Sequence, residues 1–330
     1  MKLATLKSDH KDGTLVVVSR DLARYAPAEH IAPNLLAALE DWSTVEPALQ
    51  ALYEQLNAGS ASNARPFDPR LAAAPLPRAP QWCDASSFLN HGRLMEKAFN
   101  TPPIPDMDTI PLMYQGASDD FLGANDDIPL PDEAHGIDFE GEYGVIVDDV
   151  PLGCPADHAL GHVKLLVQIN DVSLRGFGPR ELRAGFGFLH AKPSSSFAPV
   201  AITPDEIGAA WDDGRVKLPL HIDYNGQWFG HPHGQEMNFG FHQLIAHASL
   251  TRKLSAGTIV GSGTVSNADR SAGSACIAER RAIELIDKGA STTPFMHFGD
   301  TVRMQAKASD GQPLFGVIEQ RIVQSPKAAI

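Results

Sequence analysis

The run 138–147, Asp-Phe-Glu-Gly-Glu-Tyr-Gly-Val-Ile-Val, constrains this chain more than any other stretch. It reads as a strand, and a strand turns positions i and i+2 to one face. Glu140 and Glu142 then stand side by side in apolar surroundings. Two carboxylates so placed repel each other unless one keeps its proton or a positive group lies between them. A hard divalent cation with oxygen ligands meets that need. A solvent-facing strand edge carrying two acids is the plainer reading, and the rest of the chain must choose.

At 330 residues the chain can bury a large core and has room for one large domain and a small one. A hydrophobic content of 43% with 20% charged residues is ordinary for a globular protein. The net charge of −13 argues against a nucleic-acid groove or an anionic membrane surface. Cys83, Cys154 and Cys276 are widely spaced and form no CxxC, which suits a reducing cytoplasm better than a disulfide framework or a zinc site. The N-terminal residues lack the apolar core of a signal peptide, and no window approaches 18 uninterrupted apolar residues. The expectation is a cytoplasmic protein with no membrane helix.

Residues 2–7 and 14–19 predict a hairpin turning at Asp12-Gly13. Leucine spacing predicts a helical segment over 33–57, broken near Ser43-Thr44. The proline-rich stretch 71–80 reads as a linker, so a small N-terminal domain over 1–78 precedes a second domain over 79–330. Asp84 or Ser86 is placed to cap a helix carrying His91. A long Pro/Asp/Gly-rich loop follows over 101–137, then a helix entering a strand over 155–170. Asn225-Gly226 marks a second hairpin, 239–250 an amphipathic helix and 258–265 a strand. The closing strands, 301–308 and 314–323, meet at Asp310-Gly311. Strands outnumber helices without βαβ alternation, which predicts an α+β, mostly β, fold.

Two more acids join the glutamates as oxygen ligands. Asp171 ends an apolar strand, where a carboxylate is costly unless bound or used as a cap. Asp84, taken alone, reads as a helix cap slightly before it reads as a ligand. His91 is the candidate general base, with a buried structural histidine as its alternative. Lys192 precedes Pro193 and a serine run, which suggests an exposed backbone near an anion. Glu279, taken alone, is a surface ion-pair residue. His231, His233, His242 and His247 lack a partner acid or cysteine and read as loop and helix-face residues. The 194–196 serine run lacks a nucleophile elbow, and Gly185-Phe-Gly187 lacks a dinucleotide setting.

Taken in order, these segments resemble the fumarylacetoacetate hydrolase family. The matching residues are Asp84 with His91 seven later, Asp-Phe-Glu-Gly-Glu from 138, Asn-Asp-Val-Ser-Leu-Arg ending at Arg175, and Ala-Lys-Pro-Ser-Ser-Ser-Phe around Lys192. Further matches are the Met-Asn-Phe-Gly-Phe-His run from 237, Gly263-Thr264 and Phe-Gly-Asp300. They cover residues 80–323. The resemblance implies a mixed β-roll catalytic domain behind a small β-rich N-terminal domain, and a homodimer. It implies a divalent cation, Mg2+ or Ca2+ with Mn2+ as a further option, on Asp84, Glu140, Glu142 and Asp171. His91 would activate water with Glu279 as orienting partner, Lys192 and Arg175 would stabilise developing negative charge, and Tyr114 and Thr264 would contact substrate.

The implied reaction is hydrolysis of a carbon–carbon bond in a 1,3-diketo acid, first fumarylacetoacetate, otherwise an acylpyruvate. Two rivals remain: a decarboxylase, isomerase or hydratase of 2-oxo acids on the same scaffold, and a non-catalytic metal-stabilised protein. Three positions depart from the family pattern. Asn100 stands where an arginine is expected, Gly178 where a glutamine is, and Ser195 where a glycine is.

Overall fold

The computed structural model describes residues 1–308, 311–312 and 314–326. Its hub is the strand Gly141–Val147, buried along its whole length because the Tyr-Gly-Val-Ile-Val run leaves no polar face to turn outward. This strand pairs antiparallel with Val163–Asn170 on one side and with Ile259–Gly261 on the other. The sheet continues through Trp82–Ala85, parallel to Ile259–Gly261, to a free edge at Met113–Gly116. In the opposite direction it runs through Ala201–Ile202 into the N-terminal hairpin, Lys2–Leu6 with Thr14–Val18, for eleven strands in all. A five-stranded sheet built on Leu220–Tyr224, Thr301–Ala306 and Ile318–Gln324 packs against it. Val145, Ile222, Met304 and Phe315 lie in their shared core. The fold is α+β and strand-rich, as the pattern predicts.

Three local expectations change. The helical segment breaks at Asp41, between Leu35–Glu40 and Trp42–Asn57, rather than at Ser43-Thr44. The 71–80 stretch is extended but not loose. Ala72, Ala74 and Leu76 are buried, Thr5 Oγ1 donates to the Pro75 carbonyl at 2.6 Å, and Arg78 pairs with Asp12 at 2.6 Å. The N-terminal strands are therefore bonded into the main sheet (Leu3 opposite Ala201) rather than hung from a flexible connector. Asp84 lies in the strand Trp82–Ala85 and caps nothing; the helix Leu89–Phe99 starts after Phe88 and places His91 in its first turn.

The hairpin at Asn225-Gly226 forms with both residues at positive φ, 50° and 70°, the backbone that a two-residue turn requires. Asp310 of the expected closing turn lies outside the described residues. Among the described residues no helix is long and apolar enough to cross a membrane.

Candidate metal centre and active site

Four carboxylates converge from three strands of the main sheet. Asp84 comes from Trp82–Ala85, Glu142 from Gly141–Val147, and Glu140 precedes that strand, bridged to Cys276. Asp171 follows directly on Val163–Asn170, and its N–H donates to the Glu140 carbonyl at 2.9 Å. Asp84, Glu142 and Asp171 each offer an oxygen within 4.8 Å of the others, and all three are buried. The strand beside them is cut to fit. A side chain at Gly261 would strike Asp84 Oδ1 at 2.3 Å, and Gly263, at φ +75°, donates its N–H to the same oxygen at 3.1 Å.

The electrostatics divide the acids. Neither oxygen of Glu142 has a hydrogen-bond donor. Burial first, then the charges of Asp84, Asp171 and Glu140, push its carboxyl well above the ordinary range. Burial and the Asp171 charge likewise push Asp84 up to about 8. Three buried acids facing one another, one of them without a donor, fit a hard oxygen-ligated divalent cation.

Glu140 is the opposite case. It accepts from Ser173 Oγ at 2.6 Å, from Lys192 Nζ at 3.0 Å and from the Thr264 hydroxyl, and it forms an ion pair with Arg175 Nη2 at 2.8 Å. Burial opposes its ionisation, but Arg175, Lys192 and His91 hold it below the usual carboxylate range. Lys192 also reaches Asp171 at 2.5 Å, and these two acids keep its ammonium charged despite burial. Asp171 further accepts from Tyr114 Oη and Ser195 Oγ, each at 2.6 Å.

His91 Nδ1 lies 2.9 Å from Oε2 of Glu279, which is 1% exposed and stands in the first turn of the helix Ile277–Lys288. A carboxylate only accepts, so Nδ1 carries the hydrogen, and in the neutral imidazole Nε2 keeps its lone pair. A cavity of about 920 Å³ is lined by Asp84, His91, Tyr114, Glu140, Lys192 and Thr264, with Arg175 at its wall. Glu142 and Asp171, with no exposed surface, lie behind that wall. All ten candidate residues thus fall in one cluster. Among them, Tyr114 and Thr264 direct their hydroxyls at the acids.

The sequence pattern described as "Fumarylacetoacetate (FAA) hydrolase C-terminal" matches residues 81–323, and "Fumarylacetoacetase N-terminal domain 2" matches residues 1–78. The chain belongs to the fumarylacetoacetate hydrolase family. One curated relative, the 2,4-didehydro-3-deoxy-L-rhamnonate hydrolase of Sphingomonas sp. (strain SKA58), is 32% identical over 165 residues, covering 49% of this chain and 54% of that protein. The chain thus spans about half the length of that relative. Maleylpyruvate hydrolase from Sphingobium sp. SYK-6, solved with manganese(II) and pyruvate, superposes with a TM-score of 0.64 at 15% identity, covering 99% of this chain and 100% of that one. A 2-hydroxyhepta-2,4-diene-1,7-dioate isomerase from Mycobacterium marinum superposes at 0.59 with 17% identity over 99% and 100%. Likeness at that level shows the shared fold and does not choose a reaction.

Within this family fold, three further polar residues complete the cluster. Ser173 and Ser195 each give a hydroxyl to one acid, and Ser195 is one of the departures from the family pattern. Asp138 is fully buried and bonded to Arg175. The signal for it was an acid inside an apolar run. The two other departures do not line the cavity: Asn100 ends the helix Leu89–Phe99 in the left-handed conformation, and Gly178 opens the short helix Gly178–Ala184.

Proposed function

We propose that the protein is a divalent-metal-dependent hydrolase that cleaves a carbon–carbon bond in a 1,3-diketo acid, with fumarylacetoacetate as the first candidate and acylpyruvates next. The observation that carries this reading is the His91–Glu279 pair, with His91 facing a cavity that Asp84 and Glu140 also line and behind whose wall Glu142 and Asp171 lie buried. Asp84, Glu142 and Asp171, with Glu140 beside them, would hold Mg2+, Ca2+ or Mn2+. Such a cation supplies Lewis-acid polarisation of a carbonyl oxygen.

The remaining work falls to the chain's own groups. Glu279 keeps the His91 hydrogen on Nδ1, so Nε2 takes the proton of a water whose oxygen bonds to the carbonyl carbon, and it returns that proton to the carbanion released when the carbon–carbon bond breaks. Lys192 and Arg175 supply positive charge beside the acids, where an enolate leaving group would otherwise meet only carboxylates. Tyr114 and Ser195 fix Asp171, and Thr264 and Ser173 fix Glu140, so the acids do not collapse toward substrate. The names of the relatives, a rhamnonate hydrolase and a maleylpyruvate hydrolase, support a 2-oxo-acid substrate.

The test is a panel of fumarylacetoacetate, fumarylpyruvate and acetylpyruvate, assayed with Mg2+ or Mn2+ and again with chelator. Cleavage of at least one, abolished by chelator and restored by the metal, is expected. All three left intact in the presence of metal overturns the reading.

A further inference from the structure

We propose that Asp138 is a positioning residue that ties the His91–Glu279 pair to the Glu140 side of the acid cluster. Its carboxylate has no exposed surface, so every one of its partners is protein. Oδ1 accepts the Ile277 N–H at 2.7 Å and Oδ2 the Ala278 N–H at 2.9 Å. These are the first two amides of the helix Ile277–Lys288, which no intrahelical carbonyl can satisfy and which carry the positive end of the helix dipole. The next residue of that helix is Glu279, the partner of His91. On its other side Asp138 Oδ2 accepts from Arg175 Nε at 2.9 Å, and the guanidinium Nη2 lies in ion-pair contact with both Asp138 at 2.9 Å and Glu140 at 2.8 Å. A main-chain bond from Gly141 N–H to the Ala275 carbonyl at 2.9 Å and the Glu140–Cys276 bridge clamp the same two segments. One carboxylate thus sets where the helix begins relative to the acids. The helix start in turn sets where Glu279 holds the imidazole.

This inference rests on the proposed role of His91, and its test separates the two. Asp138→Asn keeps the shape and removes the charge. Two readouts need no substrate: Mn2+ affinity, and the 15N signals of the His91 ring, assigned by their loss in His91→Ala. The expected result is Mn2+ affinity within about threefold of wild type, with the ring signals moved toward their positions in Glu279→Gln. On any diketo acid that wild type cleaves, kcat falls by about ten- to a hundredfold at nearly constant KM, and the loss shrinks to about threefold or less in the Glu279→Gln background.

Unmoved ring signals in folded Asp138→Asn overturn the proposal. So does a fall in Mn2+ affinity that matches the fall in kcat, or a full effect retained beside Glu279→Gln. If Asp138→Asn does not fold, Ala278→Pro takes its place, because proline is tolerated in a first helical turn and deletes one of the two amides. The His91 signals should then move in the same direction, and their staying put overturns the proposal. If wild type cleaves no diketo acid, the proposed activity falls, and the ring signals and Mn2+ affinity alone decide the positioning role.

Discussion

Glu140 and Glu142 are two residues apart in one segment and almost equally deep, yet their surroundings are opposites. Glu140 meets two hydroxyls, an ammonium and a guanidinium; among the described residues Glu142 meets none of these, only the Asp84 carboxyl. Desolvation is the largest influence on both carboxyls, and it acts in the same direction. Only the neighbours differ, and they send Glu140 below the usual range and Glu142 well above it. The acid cluster therefore has a satisfied side and a deprived side. A cation gains most at Glu142, which faces Asp84 and Asp171 and has the fewest donors of the three. The lesson is that a buried acid marks a metal site through the donors it lacks.

The largest expected effect tests whether chemistry and metal binding really occupy different sides. His91 is held by Glu279 and hydrogen-bonds to none of the acids in the cluster. His91→Ala should lower kcat/KM on a cleaved diketo acid by about 10²- to 10⁴-fold, the usual range for a lost general base. Mn2+ affinity, measured by calorimetry, should hardly change. A matching loss of Mn2+ binding would erase the division.

Next in size is Glu140→Gln, read by urea unfolding of the metal-free protein. The substitution leaves Lys192 facing Asp171 alone and Arg175 facing Asp138 alone, both in poorly solvated surroundings. Breaking one partner out of a buried charge network costs about 3–5 kcal/mol. A loss below about 1 kcal/mol would mean that Glu140 is no better satisfied than Glu142.

How much of this was legible in the sequence follows from the same physics. The i, i+2 spacing of Glu140 and Glu142 sufficed to put both on one side, because strand geometry is local. Asp84 was recognisable as an acid but not as a strand residue. Its place depends on pairing with Met113–Gly116 and Ile259–Gly261, partners far along the chain. The break at Asp41 and the buried 71–80 stretch escaped for a related reason. Proline and alanine content predicts an extended backbone, and only the hydrogen bonds to Thr5 and the pairing of Arg78 with Asp12 tell that it is packed. Glu279 looked like a surface residue within Ala-Glu-Arg-Arg; the resemblance, not the pattern, pointed to it, and its burial comes from helix Ile277–Lys288 packing on helix Leu89–Phe99. Ser173 and Ser195 carry no sequence signal beyond being serines near an acid.

The deprived side predicts a change of opposite sign. In the metal-free protein Glu142→Gln replaces a donor-less carboxyl with an amide whose N–H groups can serve Asp84 or Asp171. Stability should rise, by about 1–3 kcal/mol if the unsatisfied group is as costly as buried polar groups usually are. The same variant should lose the metal-induced rise in Tm, which for wild type corresponds to about 2.7 kcal/mol at a free metal concentration a hundred times Kd. A destabilised metal-free Glu142→Gln would show that Glu142 is already satisfied without a cation.

The smallest effect comes from a carboxylate satisfied by amides, with no cation beside it, and so asks whether donors alone suffice. Glu284 accepts the N–H groups of Thr292 and Thr293 at 2.6 and 2.9 Å and the Thr293 hydroxyl at 2.7 Å. Burial pushes its carboxyl up, but these donors outweigh burial and bring it down from 4.5 to about 2. A carboxyl whose folded pKa is depressed stabilises the fold fully above its unfolded value and progressively less as pH falls toward the folded one. Tm measured against pH should therefore show a Glu284-dependent decline between about pH 4.5 and 2, absent in Glu284→Gln. At neutral pH that variant should cost about 1 kcal/mol and leave Mn2+ affinity untouched, since the turn it fastens closes the far end of the helix that carries Glu279. An identical pH profile in the two proteins would mean that amide donors do not stabilise a carboxylate here, and that Glu140 owes its low pKa to Lys192 and Arg175 rather than to its hydroxyl partners.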